Sequence, residues 1–279
     1  MLKNTFCHIP GIGLRTERTL WERGVLSWDD VLQGVSAGLS PGRHDLLSRH
    51  VEDSLIALAN EDADFFYRRL PTHQQWRLFG AFRHSVAYLD IETTGLGSPS
   101  DYITAICTYD GDCLASYVHG ENLRDFIDDV EQYKLLVTYN GKRFDLPFIH
   151  AYLGLDLRQA HVDLMFVLRS LGYRGGLKGC EKQLGIARDE LEGVDGFFAV
   201  LLWNEYHEYG DVAALETLLA YNATDVVNLE TLMVLAYNMK LAELPFAETH
   251  MLPVPDAVEL PYEPDADLIQ RIRTAHGCV

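Results

Sequence analysis

Positive charge is scarce in this sequence: 23 Lys and Arg stand against 41 Asp and Glu, a formal net charge of −18. So acidic a chain is not a generic binder of polyanions, because its summed field repels them. Long apolar runs are missing too. None approaches the roughly 20 residues that span a bilayer, and the N-terminus, MLKNTFCHIPGIG, has no apolar signal core. The sequence therefore points to a cytoplasmic protein with no membrane partner. Cysteine is sparse and odd in number: Cys7, Cys107, Cys113, Cys180 and Cys278 are scattered, with no C-x-x-C pair. That favours reduced thiols over disulfides or a zinc site. No internal repeat is visible. What remains is ordinary globular composition, 48% hydrophobic and 23% charged, with 279 residues for one large domain or two modest ones.

The charge is uneven. Residues 1–80 carry 9 basic against 10 acidic side chains, and residues 81–279 carry 14 against 31. Either the second part avoids polyanions or bound cations offset some of its charge. Residues 1–80 read as helical, with apolar residues at helical spacing in LLSRHVEDSLIALA. Near residue 85 the texture changes. SVAYLDI, YITAICTY and CLASYVH read as three neighbouring antiparallel strands, followed by a helix at about 121–132 and a fourth strand, KLLVTYN. FDLPFIHAYLG reads as a short helix closing on Gly154, HVDLMFV as a strand passing into a helix, and 211–237 as one long helix. This order predicts an α/β fold with a mixed five-stranded sheet over residues 81–240. Half of the ten prolines fall between Pro245 and Pro264, so 241–279 reads as an extended tail.

Three acidic sites stand out. In YLDIETTGL, Asp90 and Glu92 lie one residue apart on a strand, so they share a face about 7 Å apart. Like charges ending a buried strand repel, by roughly 4 kcal/mol at 4 Å and an effective dielectric of 20. A divalent cation between them would turn repulsion into coordination; a strand surfacing into solvent would avoid it. Asp145 follows an Asn-Gly turn just before Leu146-Pro147, where it is a ligand or a helix N-cap. Leu218, Tyr221, Asp225, Leu229 and Leu232 form one helix face, which places Asp225 inside an apolar stripe. A buried Asp needs a partner, either a cation or a distant Arg. Were these acids to converge, an all-oxygen donor set would suit Mg²⁺ or Mn²⁺. Two such ions serve in-line phosphoryl displacement.

DIETTG at 90–95, N-x3-FD at 140–145 and Y-x3-D at 221–225 resemble, in order, the three motifs of the DEDD exonucleases on the ribonuclease H-like fold. The YprB-type or DnaQ-like subgroup is the closest likeness, over about residues 85–237. The resemblance implies a metal-dependent 3′→5′ exonuclease using two Mg²⁺ or Mn²⁺ ions. It implies Asp90, Glu92, Asp145 and Asp225 as ligands. Tyr at 221 with Ala at 220 matches the tyrosine branch, in which Tyr221 orients or helps deprotonate the attacking water; otherwise Tyr221 is a core side chain. Thr93, Thr94, Gly95 and Leu96 would contact the terminal nucleotide, or form an ordinary turn. Asn140 would bind substrate or supply a left-handed turn. Asp163 and His161 read as structural, Asp163 with an outer-shell alternative.

For nucleic-acid contact the candidates are Lys142 and Arg143, then Arg169, Arg174, Lys178, Lys182 and Arg188, with a solvated face alongside Glu181 and Asp189 as the alternative. IPGIGLRTERTL resembles a helix-hairpin-helix element, which would either offer backbone N–H groups to a phosphate or brace the rest of the chain. Two other functions stay open. One is a scaffold on a nuclease-like fold that docks nucleic acid, a helicase or a repair partner without cutting. The other is an endonuclease or resolvase of the same fold.

Overall fold

The run VAYLDIET folds as β1 (Val86–Thr93), buried along nearly all its length. A computed structural model describes residues 1–35, 37–188, 191 and 193–276; Asp189 and Cys278 lie outside them. β2 (Ile103–Tyr109), β3 (Leu114–Val118), β4 (Leu135–Thr138) and β5 (Ala160–Asp163) join β1 in one sheet of order β3-β2-β1-β4-β5. The β1–β2 and β2–β3 pairs are antiparallel; β1–β4 and β4–β5 are parallel. This is the mixed five-stranded α/β sheet expected. β1 lies at its centre with both faces covered, which is why it reads as a nearly unbroken apolar run.

Before the sheet come α1 (Leu14–Glu22), α2 (Trp28–Leu32), α3 (Pro41–Ala59), α4 (Ala63–Tyr67) and α5 (Phe79–Phe82). Ser27 starts α2 with a capping box: its hydroxyl accepts from the Asp30 N–H, and Asp30 accepts from the Ser27 N–H. Apart from α3, these helices are too short to be stable alone. Phe6, Trp28, Phe66, Trp76 and Phe79 enter the same apolar cluster as Tyr88, Val137, Leu229 and Tyr237, so residues 1–80 share a core with the sheet.

One buried ion pair fastens α1 to the turn before α5. Arg77 Nη1 donates to Glu17 Oε1 at 2.9 Å, and the same oxygen accepts from the Phe6 N–H at 2.6 Å and the Cys7 N–H at 3.0 Å. Arg77→Met is expected to cost about 3–5 kcal/mol, because the Glu17 carboxylate stays behind, buried and unpaired. Urea unfolding would show the lower midpoint. A loss below about 1 kcal/mol would mean the pair is dispensable.

After β3 the expected helix at 121–132 is found over 123–132 as a mixed run, with α6 (Phe126–Asp129) between 3₁₀ helices at 123–125 and 130–132. Next come α7 (Asp145–Leu153), closed by left-handed Gly154, then α8 (Leu164–Ser170), α9 (Gly176–Leu184), α10 (Gly196–Tyr209) and α11 (Val212–Ala242). α11 has 31 residues, about 46 Å of helix, and lies across β1 and β2. The opposite face of the sheet packs Ala87, Leu89 and Ile91 against Phe126, Phe148 and Ile149. Tyr88, Asp90 and Glu92 alternate with those residues and so face α11.

α12 (Ala247–His250) and α13 (Ala266–His276) end the described chain. Residues 251–265 form no helix or strand, but α13 is a helix where an extended tail was expected. Asp265 caps it by accepting from the Leu268 N–H at 2.8 Å, and Leu268, Ile269 and Ile272 bury against α10 and α11. Among the described residues no helix is long and apolar enough to cross a membrane. Cys7, Cys107, Cys113 and Cys180 are free thiols.

Candidate metal centre

The last turn of β1 and the middle of α11 bring three carboxylates together. One oxygen each from Asp90, Glu92 and Asp225 lies within 4.8 Å of the others. Glu92 and Asp225 are buried, 7% and 5% exposed, and Asp90 is half-buried. The β1–β2 register shifts between Glu92 and Thr93, so the strand breaks immediately after the pair. Asp145 is 3% exposed at the start of α7. It does not join the 4.8 Å set, but its charge is the strongest of those acting on Asp90.

These acids share one electrostatic problem. Burial, then repulsion from Asp145, Asp225 and Glu92, pushes the Asp90 carboxyl well above its usual range. Burial and Asp225 do the same to Glu92, opposed by Lys178. Asp145 is raised to about 7 by burial, although the backbone N–H groups of Asp145 and Ile91 hold it down. Asp225 is raised by burial, with Arg188 opposing. Three clustered carboxylate oxygens, all raised by burial, form a donor set that fits a hard divalent cation, which would remove this strain.

Asp145 owes its position to a braced loop. Asn140 adopts a left-handed turn, φ 65°. Asp163 accepts from the Asn140 N–H at 2.8 Å, the Lys142 N–H at 3.1 Å and the Met165 N–H at 3.1 Å. The Thr138 hydroxyl accepts from the Gly141 N–H at 3.1 Å and shares a hydrogen bond of 2.9 Å with His161 Nε2. A Cβ at Gly141 would sit 2.2 Å from that hydroxyl, so only glycine fits. Burial lowers His161 to about 3, and its neutral ring is a brace. Asp163→Ala is expected to lower stability by on the order of 3 kcal/mol, because the buried loop N–H groups lose their acceptor. If urea unfolding shows under about 1 kcal/mol, Asp163 does not hold the loop.

The loop after β1 is also tied down. Thr93 donates to the Gly95 carbonyl at 2.7 Å, and the Thr94 hydroxyl accepts from the Tyr102 N–H at 3.0 Å. Gly95 leaves room for Asp101, which accepts from the Gly97 and Ser98 N–H groups; a Cβ there would lie 2.5 Å from its carboxylate. Leu96 is 93% exposed at the tip, beside a groove of about 430 Å³ lined by Pro99, Arg143, Phe144, Phe148 and Tyr152. Lys142 turns away from this groove. Its Nζ donates to Gln75 at 3.0 Å and lies 5.5 Å from the Tyr67 ring centre.

Three neighbours of the acids escaped the sequence reading in these roles. Asn222 is fully buried and donates to Asp90 Oδ2 at 2.8 Å. Its spacing of three from Asp225 was the available signal. Arg188 and Lys178, expected on a phosphate-facing surface, point inward instead. Arg188 Nη2 forms an ion pair with Asp225 Oδ1 at 2.5 Å. The same guanidinium forks onto Glu181 at 2.5 and 2.8 Å. Lys178 Nζ lies 4.7 Å from the centre of the Tyr221 ring, with no hydrogen bond among the described residues. Arg169, Arg174 and Lys182 remain exposed. Tyr221 is 5% exposed, and burial with the neighbouring acids drives its hydroxyl far above its usual range.

A sequence profile of the RNase H superfamily matches residues 87–237, more than half of the chain and all of the elements just described as bearing acids. No curated protein is detectably similar. Among solved structures, a family B DNA polymerase from the hyperthermophilic archaeon Pyrobaculum calidifontis is similar at 20% identity and a TM-score of 0.42. The match covers 60% of this chain and 27% of the polymerase.

Proposed function

The chain belongs to the RNase H superfamily, and from that premise we propose that it is a metal-dependent nuclease of the DEDD type, a 3′→5′ exonuclease of the tyrosine branch. One observation carries this reading: Asp90 and Glu92 from β1 meet Asp225 from α11 within 4.8 Å, in a buried place that raises all three carboxyls. With Asp145 beside Asp90, these residues are the proposed ligands. Two Mg²⁺ or Mn²⁺ ions held there would activate water and stabilise the leaving 3′-oxygen.

The remaining roles belong to the chain's own groups. Asn222 orients Asp90 through its 2.8 Å hydrogen bond. Tyr221 keeps its proton, given the direction of its shift. That supports a hydroxyl which orients water by hydrogen bonding over one which abstracts a proton. Thr93, Thr94, Gly95 and Leu96 form the proposed rim for the terminal nucleotide, with exposed Leu96 offering an apolar face to a base. Asn140 acts through the turn it supplies. Lys142 reaches substrate only by giving up Gln75. The 3′→5′ polarity rests on the ordered motifs DIETTG, N-x3-FD and Y-x3-D.

A second reading is favoured by one contact. Arg188 already neutralises Asp225, as it would in a domain that docks nucleic acid, a helicase or a repair partner without cutting. The purified protein with Mn²⁺ is tested on 5′-labelled single- and double-stranded DNA and RNA and on closed circular DNA. Stepwise shortening from the 3′ end with intact circles is expected. Cut circles would indicate an endonuclease or resolvase, and no product on any substrate would favour the docking domain.

A further inference from the structure

Arg188 is wedged between two acids with different partners. Glu181 is 1% exposed and accepts Arg188 Nε at 2.5 Å, Arg188 Nη2 at 2.8 Å and Asn228 Nδ2 at 2.8 Å. Asp225 receives one edge of the guanidinium, the shared Nη2, at 2.5 Å. Arg188 Nη1 is buried with no hydrogen bond among the described residues. The two-pronged fork on Glu181 is therefore a second anchor, one that would still hold Arg188 if the Asp225 contact were lost. The left-handed Gly185 that ends α9 turns the chain so that Arg188 comes back against Glu181.

We propose that Arg188 is a positioning residue that serves as a resident counter-ion, holding Asp225 until a divalent ion takes that carboxylate and displaces the guanidinium edge, while Glu181 keeps Arg188 at the site. The inference rests on the metal-binding reading given above and adds to it how the ions gain entry. A dication at Asp225 and a guanidinium 2.5 Å from the same oxygen repel each other, so one must leave. Arg188 is the one with a second anchor. The exchange makes ion binding weaker than the cluster of acids alone would give. Lys178, above the Tyr221 ring, adds positive charge near Glu92 but makes no contact that an ion must break.

The test is calorimetric titration of the full chain with Mn²⁺ at one fixed pH of about 8, the same for every variant. Arg188→Gln is expected to bind Mn²⁺ about tenfold more tightly than wild type, because the competing charge is gone. Arg188→Lys keeps the charge but cannot hold both carboxylates. It is expected to fall between, about threefold tighter. Structural damage alone would weaken binding, so tightening separates the two. Wild-type affinity in Arg188→Lys would reduce Arg188 to a distant charge and overturn the displacement, and this variant decides the matter if Arg188→Gln fails to fold. Tighter binding in both variants without nuclease activity in wild type would uphold the exchange and sink the nuclease reading. Unchanged affinity with an active nuclease would do the reverse. No Mn²⁺ binding by any form would end both.

Discussion

Asp90→Asn is expected to reduce cleavage by on the order of a thousandfold or more while leaving the fold intact. The substitution keeps the shape and removes the charge. A ligand of a catalytic ion stabilises developing charge by several kcal/mol, and each 1.36 kcal/mol is tenfold in rate. Asp225→Asn is expected to be equally inactive. The two variants should part in stability when no metal is added. Asp90 is repelled by Asp145, Asp225 and Glu92, so neutralising it relieves strain and raises the melting temperature. Asp225 also balances Arg188, so its neutralisation gives back part of that relief. Initial rates on end-labelled substrate, paired with melting curves in EDTA, read both effects. Wild-type cleavage by Asp90→Asn would end the proposal for this site.

The metal-free protein is expected to lose stability as pH rises, and a divalent ion is expected to restore it. Asp90, Glu92, Asp145 and Asp225 all have carboxyls raised by burial. Between the ordinary carboxylate range and these raised values, the folded chain binds more protons than the unfolded one. Stability therefore falls as pH rises through that window. For Asp145 the window runs from 3.8 to about 7. For the other three it starts in the ordinary carboxylate range and reaches upward. Above it the folded state holds clustered charge at its full cost. Mn²⁺ or Mg²⁺ binds only the folded arrangement, so saturation a hundredfold above Kd adds about 2.7 kcal/mol. Chelation should reverse the gain. Urea unfolding across pH 4 to about 8, with EDTA and with Mn²⁺, measures it. A flat EDTA profile, or one unmoved by metal, would mean that the four acids neither strain the fold nor take an ion.

Several parts of this arrangement were legible because they obey local periods. Asp90 and Glu92 share a face because side chains on a strand alternate, and Tyr221 and Asp225 share one because a helix repeats near 3.6. The order of strands and helices carried the mixed sheet, since short apolar runs and caps report on their own neighbourhood. The misses have the same explanation inverted. α13 has only Leu268, Ile269 and Ile272 to signal a helix, and the prolines before it masked them. The helix expected at 121–132 is present over 123–132, but as a 3₁₀–α–3₁₀ run that buries Phe126 and Val130.

By itself, the sequence determined the elements up to α11, the acids they carry and the strip of fold to which those acids belong, because each depends on residues a few positions apart. Only the tertiary structure decided that Asp145 stands just outside the tight cluster, that Asn222 grips Asp90, and that Lys178 and Arg188 point inward at the acids instead of outward at a phosphate. Those outcomes depend on which helix lies over which strand. Charge acts through space, and a guanidinium at 188 finds the carboxylate at 225 only once the turn at Gly185 and the packing of α11 have brought them together.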